Sequence, residues 1–216
     1  MTGEYAAVVL AGGAGRRLGG PAKPATPVGG RPMVCRVLDA VADAVARVAV
    51  GAPDLPVPPG VSLTRERPAD GGPVAGLAAG LAALGDPLPD RVVVLAADLP
   101  LLTPAAVGRL LAALGDPRAP VEAAVLADDA GRPQWLCAAW RGDALARALA
   151  ALGPPRGAAV RRLYADAAVA RVDLPADAPP AWWDCDTPDA LARARGWLGD
   201  PSAGPARSAG AQHPDQ

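Results

Sequence analysis

Histidine is almost missing from this chain of 216 residues, and the single one, His213, lies in a Gly/Pro/Ser/Ala-rich final stretch. Acid–base chemistry or metal ligation built on imidazole is therefore not expected. The three cysteines, Cys35, Cys137 and Cys185, are far apart and odd in number. They form neither a zinc-ligand spacing nor a disulfide framework, which fits a reducing cytoplasm. No uninterrupted apolar run reaches the roughly 18 residues of a membrane span. No basic segment followed by an apolar stretch and a cleavage site is present, so a cytoplasmic location is expected. The net charge is only −1, which removes the bulk electrostatic pull of a nucleic-acid binder. The expected partners are small molecules, with no nucleic acid and no membrane, and the chain is expected to be a monomer or weak oligomer.

Phenylalanine and asparagine are absent, and lysine occurs once, against 20 arginines. A chain that uses arginine wherever charge alone is needed must keep its one lysine for another reason. Lysine is a compact point charge and arginine a planar fork, so a site built for the first does not readily take the second. That lysine is Lys23, and it directly follows a glycine-rich segment.

What is present reads as alternating strands and helices. Tyr5 to Leu10 is an apolar strand, followed by a glycine-rich loop and a Pro/Gly-rich stretch to Gly30. Pro32 opens a helical pattern through Val45, and 45–50 and 61–64 read as strands. A small-residue helix covers 73–84, an apolar strand 91–96, and a helix capped by Thr103 runs to Leu114. Strands follow at 121–127 and 134–140, helices at 142–152 and 157–166, a strand at 169–174, and a helix from Thr187-Pro188 to Leu198. The alternation predicts one α/β domain over 1–198, with a doubly wound, mostly parallel, Rossmann-like sheet. Residues 199–216 read as a disordered tail. Ligands of such sheets bind beyond the carboxyl ends of the strands.

Four segments fall at such ends. In the loop Leu10-Ala11-Gly12-Gly13-Ala14-Gly15-Arg16-Arg17-Leu18-Gly19-Gly20, the glycines allow close approach to a ligand and a nest of amides for an anion. Arg17 and Lys23 add positive charge suited to a polyphosphate. A P-loop is excluded, because Lys23 stands between Ala22 and Pro24 rather than before Ser or Thr. A dinucleotide fingerprint is excluded by Leu18 and by prolines at 21, 24 and 27, which forbid a helix there. Asp98 follows the apolar strand and is placed to hold Mg²⁺ on nucleotide phosphates, since Mg²⁺ takes one or two carboxylates plus phosphate oxygens and waters. A plain turn aspartate is the competing reading. Asp184 and Asp186 alternate in an extended segment and so share a face aimed at one site. Asp70, before Gly71-Gly72-Pro73, is a candidate acceptor for a base or ribose, or else a polar turn residue.

These pieces together resemble the nucleotidyltransferase family that includes the molybdenum cofactor guanylyltransferases. The resemblance rests on Leu10-Ala11-Gly12-Gly13, Arg17-Leu18-Gly19, Lys23, Gly72-Pro73-Val74-Ala75-Gly76, Asp98-Leu99-Pro100 and the closing Asp184 to Leu191. These motifs fall in the family's order between residues 5 and about 197. The chain departs from the pattern at Gly51 or Ala52 and at the closing aspartates, where the family often has asparagine.

The resemblance implies transfer of GMP from GTP to the phosphate of molybdopterin-bound cofactor, with release of pyrophosphate. It implies Arg17, Lys23 and Asp98 as catalytic groups and Leu10, Ala11, Gly12, Gly13, Lys23, Asp70 and Asp98 as nucleotide contacts. Asp98 and Asp186 are the implied Mg²⁺ ligands. Arg132-Pro133-Gln134-Trp135 resembles the acceptor-side segment, although Trp135 is favoured as a core residue. A cytidylyltransferase or another small-phosphate nucleotidyltransferase on the same scaffold, and a nucleotide-binding module without turnover, are the alternatives.

Overall fold

The computed structural model describes residues 4–12, 23–67, 69–115 and 120–199. The expectations for Gly13, Arg17 and the tail beyond 199 fall outside the described residues. Seven strands form the main sheet: β1 (Ala6–Leu10), β4 (Ala46–Val50), β5 (Ser62–Thr64), β6 (Arg91–Ala96), β7 (Ala123–Ala127), β8 (Pro133–Arg141) and β9 (Val169–Val172). Their order is β5-β4-β1-β6-β8-β7-β9. Only β8 runs against the rest, pairing antiparallel with β6 on one side and β7 on the other. The α/β, doubly wound, mostly parallel sheet expected from the sequence is the fold observed.

The sheet is buried on both faces, which is why β1, and β6 from Val92 on, are apolar rather than alternating. On one face, Ala7, Val9, Val93 and Leu95 meet α1 (Met33–Asp39) and α3 (Pro104–Ala113) through Val34, Leu38, Val107 and Leu110. On the other, Val8, Leu10, Val92 and Val94 meet α2 (Pro73–Leu84) and α4 (Gly142–Leu152) through Val74, Leu77, Leu81 and Leu145. Helix α2 lies close against the sheet because two of its residues lack side chains. A Cβ at Gly80 would stand 2.4 Å from Val8 Cγ1. Helix α3 starts where the sequence says, with the Thr103 hydroxyl accepting the Ala106 N–H at 3.2 Å.

A third, smaller core fixes the geometry that matters most here. The two-residue strands β2 (Pro27–Val28) and β3 (Arg31–Pro32) make a hairpin just after Lys23. Val28 and Met33 pack on Cys185, Leu191 and Ala194, the last two from α5 (Pro188–Trp197). Arg195 donates to the Pro27 carbonyl at 3.2 Å. The segment after Lys23 and the segment after Asp186 are thus bound to each other across 168 residues of chain.

Several expectations need correction. The first helix ends at Asp39, not Val45. The Ala42 and Ala44 amides turn back to the Asp39 and Val41 carbonyls, and Val45 N–H is taken by Tyr5, so the chain is committed to the sheet early. The helix expected at 157–166 is a 3₁₀ turn, Val160–Tyr164. The Pro/Gly-rich stretch to Gly30 supplies the first strand and the turn of the β2–β3 hairpin, the turn using Gly29 and Gly30 at positive φ. Trp135 is half-buried at the margin of the core rather than within it, and packs against Tyr164 with ring centroids 4.5 Å apart.

Candidate active site

The carboxyl ends of β1, β4 and β6 open onto a cavity of about 440 Å³, within the range of small-molecule sites. Leu10, Ala11 and Gly12 line one wall, and Asp70, Gly72, Pro73 and Gly76 another. Lys23, Asp98 and Asp186 stand together at the cavity as well. Of the described residues singled out from the sequence for nucleotide or ion contact, all but Asp184 therefore lie on one cavity.

Each side chain has a structural reason for its place. Asp98 comes two residues after β6, and the Ala97 N–H donates to the Leu10 carbonyl at 3.0 Å, which locks the loop to the end of β1. The Cys185 N–H donates to the Asp98 carbonyl at 3.2 Å, which brings Asp186 alongside. The Lys23 ammonium contacts both carboxylates, Asp98 Oδ2 and Asp186 Oδ1. Its side chain is 12% exposed, against 20% for Asp98 and 69% for Asp186. Burial pulls the Lys23 pKa down, but the two carboxylates outweigh it and hold the value above that of an ordinary lysine. The ammonium is thus firmly charged at neutral pH.

Asp70 adopts φ 61°, alone among the described non-glycine residues in taking a positive value. Aspartate adopts this region in turns, and the turn leads into α2 at the cavity wall. The Leu10 carbonyl receives the Ala97 N–H, and the Ala11 and Gly12 carbonyls follow it along this wall.

Glu66 is the residue the sequence reading missed. It lines the same cavity. One oxygen, Oε1, accepts the Gly71 N–H at 3.2 Å. The other, Oε2, reaches over α2, 3.0 Å from where a Gly76 Cβ would stand and 3.9 Å from that of Gly12. The signal was present, since Glu66 follows the carboxyl end of β5 by two residues, the same relation Asp98 has to β6. The shortness of β5 hid it.

Asp184 and Asp186 part company. Asp186 lines the main cavity, while Asp184 lines a second one of about 350 Å³ with Arg132, Gln134 and Trp183. Burial, then the charges of Asp186 and Asp98, raise the Asp184 pKa above the usual carboxylate value. Asp128 lies under this second cavity and is the one buried charged residue among those described. Its carboxylate accepts the Ala130 and Arg132 amides at 3.0 and 2.9 Å, and the Arg132 Nε at 2.7 Å. It also accepts from Gln134 at 3.3 Å, so it positions two of the polar side chains that line this cavity, Arg132 and Gln134.

A Mg²⁺ ion fits this donor set. The two carboxylates already converge on one cation, the lysine ammonium. Among the described residues no group of three or more His, Cys, Asp or Glu side chains is arranged around a common metal position. Two carboxylates nonetheless suffice for Mg²⁺ when phosphate oxygens and waters complete the shell. No helix among the described residues is long and apolar enough to cross a membrane.

The chain has relatives among known proteins. The chain is 35% identical over 196 residues to a molybdenum cofactor guanylyltransferase of Rhodobacter capsulatus, covering 88% of this chain and 95% of that one. It is 38% identical over 141 residues to the protein of the same name from Rhodopseudomonas palustris, covering 62% and 65%. Among solved structures, molybdopterin-guanine dinucleotide biosynthesis protein A from Archaeoglobus fulgidus superposes with a TM-score of 0.66 at 22% identity, covering 90% of this chain and 98% of that one. The 2-C-methyl-D-erythritol 4-phosphate cytidylyltransferase from Thermus thermophilus gives 0.65 at 20% identity, covering 91% and 99%. These structures share the fold. A family model described as the MobA-like NTP transferase domain matches residues 7–174. The chain belongs to that nucleotidyltransferase family.

Proposed function

We propose that the protein transfers GMP from GTP to the terminal phosphate of a molybdopterin-type cofactor. An acceptor phosphate oxygen attacks the α-phosphorus, the bond from that phosphorus to the bridging oxygen breaks, and pyrophosphate leaves. The observation that carries the reading is the meeting of Lys23, Asp98 and Asp186 at the cavity lined by Leu10 to Gly12. The names of the curated relatives support guanine and the acceptor.

The attacking group is already a phosphate oxygen, so no protein nucleophile or histidine base is required. Catalysis then consists of positioning and charge neutralisation. Asp98 and Asp186 would hold Mg²⁺, which neutralises charge on the reacting phosphates when bound. Lys23 holds oxygens of the leaving pyrophosphate, and Arg17 is assigned to the same task. Guanine presents N1–H and N2–H₂ donors, so its pocket must offer acceptors. Glu66, Asp70 and the Ala11 and Gly12 carbonyls supply them. The acceptor lies toward the second cavity, where Arg132 and Gln134 are held by Asp128.

Isothermal titration with GTP and CTP in the presence of Mg²⁺ tests the reading. GTP is expected to bind the more tightly. Glu66→Gln should weaken GTP by about 1–3 kcal/mol, the cost of leaving a buried donor without its acceptor, and CTP much less. Tight CTP binding with no response to GTP would overturn the guanine assignment.

A further inference from the structure

We propose that Lys23 is an exchangeable counter-ion, holding Asp98 and Asp186 together until the nucleotide's phosphates draw it away and a divalent ion takes its place between them. This rests on the reading of Asp98 and Asp186 as the ion's carboxylates.

The contacts carry the argument. One ammonium touches Asp98 Oδ2 and Asp186 Oδ1. A divalent ion bound to the same two oxygens would stand where that ammonium stands. Two cations cannot share the position, and their repulsion grows as the site is desolvated. Lys23 is largely covered, so it occupies the seat as a built part of the site rather than as a passing surface contact. Its stem is four flexible carbons, so the charge can swing to a neighbouring anion without moving the 3₁₀ turn Lys23–Ala25 that carries it. The nearest anion a substrate brings is its phosphate chain, on the adjoining wall of the same cavity.

Two consequences follow. The ion and the nucleotide bind with mutual reinforcement, because each relieves the obstacle to the other. The lone lysine of the chain also acquires a reason. An arginine fork would grip two carboxylates through several parallel hydrogen bonds and yield its place less readily.

The test uses Mn²⁺ as the probe, read by electron paramagnetic resonance on folded, nucleotide-free protein. Lys23→Met is expected to bind Mn²⁺ at least about tenfold more tightly than wild type, a difference of about 1.4 kcal/mol. Adding Asp98→Asn to that variant should remove the gain, and Lys23→Arg should bind no better than wild type. A Lys23→Met protein that binds Mn²⁺ no more tightly than wild type overturns the proposal.

A second readout needs no variant. With one lysine in the chain, ¹³Cε-lysine labelling gives one side-chain signal, which should move when GTP is added without any divalent ion. A signal that GTP leaves in place overturns the proposal as well. Mn²⁺ retained by GTP-loaded wild type and lost in Asp98→Asn would leave the function standing even so. Its absence there would bring down the function too.

Discussion

The width of the cavity depends on how closely α2 approaches β1, and two glycine-to-alanine substitutions separate that packing from helix propensity. Alanine in place of a mid-helix glycine gains about 1 kcal/mol from propensity alone. At Gly108, in the middle of α3, nothing stands within 4 Å of the new Cβ. Gly108→Ala is therefore expected to stabilise by about 1 kcal/mol, or about 2–4 °C in Tm for a domain of this size. At Gly80 the same methyl would stand 2.4 Å from Val8 Cγ1 and 3.1 Å from Val50 Cγ2. Val8 is fully buried on a central strand and cannot turn away. The helix must lift by about 1 Å to restore ordinary contact, which is overpacking of the kind that costs about 1–3 kcal/mol. Net destabilisation of up to about 2 kcal/mol is expected once the propensity gain is subtracted. Because Gly72, Pro73 and Gly76 of the same helix start form a cavity wall, GTP affinity should fall in Gly80→Ala and hold in Gly108→Ala. Urea unfolding and GTP titration of both variants check this. Equal stabilisation by the two substitutions would refute the claim that close helix–sheet packing shapes the cavity.

Lys23→Ala should weaken GTP binding by about 1.5–3 kcal/mol, the range for hydrogen bonds to charged groups. Arg147→Ala removes exposed ion pairs to Asp143 and Glu122 and should change GTP affinity by less than about 1 kcal/mol. Equal losses in the two variants would remove the phosphate role from Lys23. Burial pushes the Asp128 pKa up, but the Arg132 and Ala130 amides and the Arg132 guanidinium outweigh it and hold the value below that of an ordinary aspartate. Its contribution to stability is therefore full above the unfolded carboxylate's pKa and is lost as pH falls through the lower, folded value. Asp128→Asn should flatten the acid limb of the stability curve, measured by urea unfolding between pH 2 and pH 5, around the carboxylate pKa of about 3.9. The same variant should raise KM for the acceptor while leaving KM for GTP unchanged.

The parts of the fold legible in the sequence are those where local pattern and burial agree. Helix α2 and strand β6 begin and end where glycine, proline and apolar runs place them, because their flanks carry strong turn residues. Helix α1 did not end where its apolar spacing ended. Val41 is buried in the same core as Val37 and Leu38, but in a turn rather than a helix, and periodicity does not tell the two apart. The 3₁₀ turn at Val160–Tyr164 failed for a related reason. Tyr164 is held by tertiary hydrogen bonds, donating to the Trp135 carbonyl at 2.7 Å and accepting from Trp140 at 3.1 Å. In the site, Lys23 and Asp98 were legible through rarity and strand-end position. Glu66 was not, because it follows a three-residue edge strand and its aim is set by the Gly71 amide, a contact no spacing rule contains.

The central claim is that Asp98 works against the nucleotide's phosphates in a transfer reaction. Pyrophosphate release from GTP in the presence of Mg²⁺ and a molybdopterin-type acceptor, compared between wild type and Asp98→Asn, tests it most directly. The wild type is expected to turn over, and the variant to lose about 10²–10³-fold in kcat, the scale for removing one electrostatic stabiliser of the transition state. Turnover undiminished in Asp98→Asn would contradict the account.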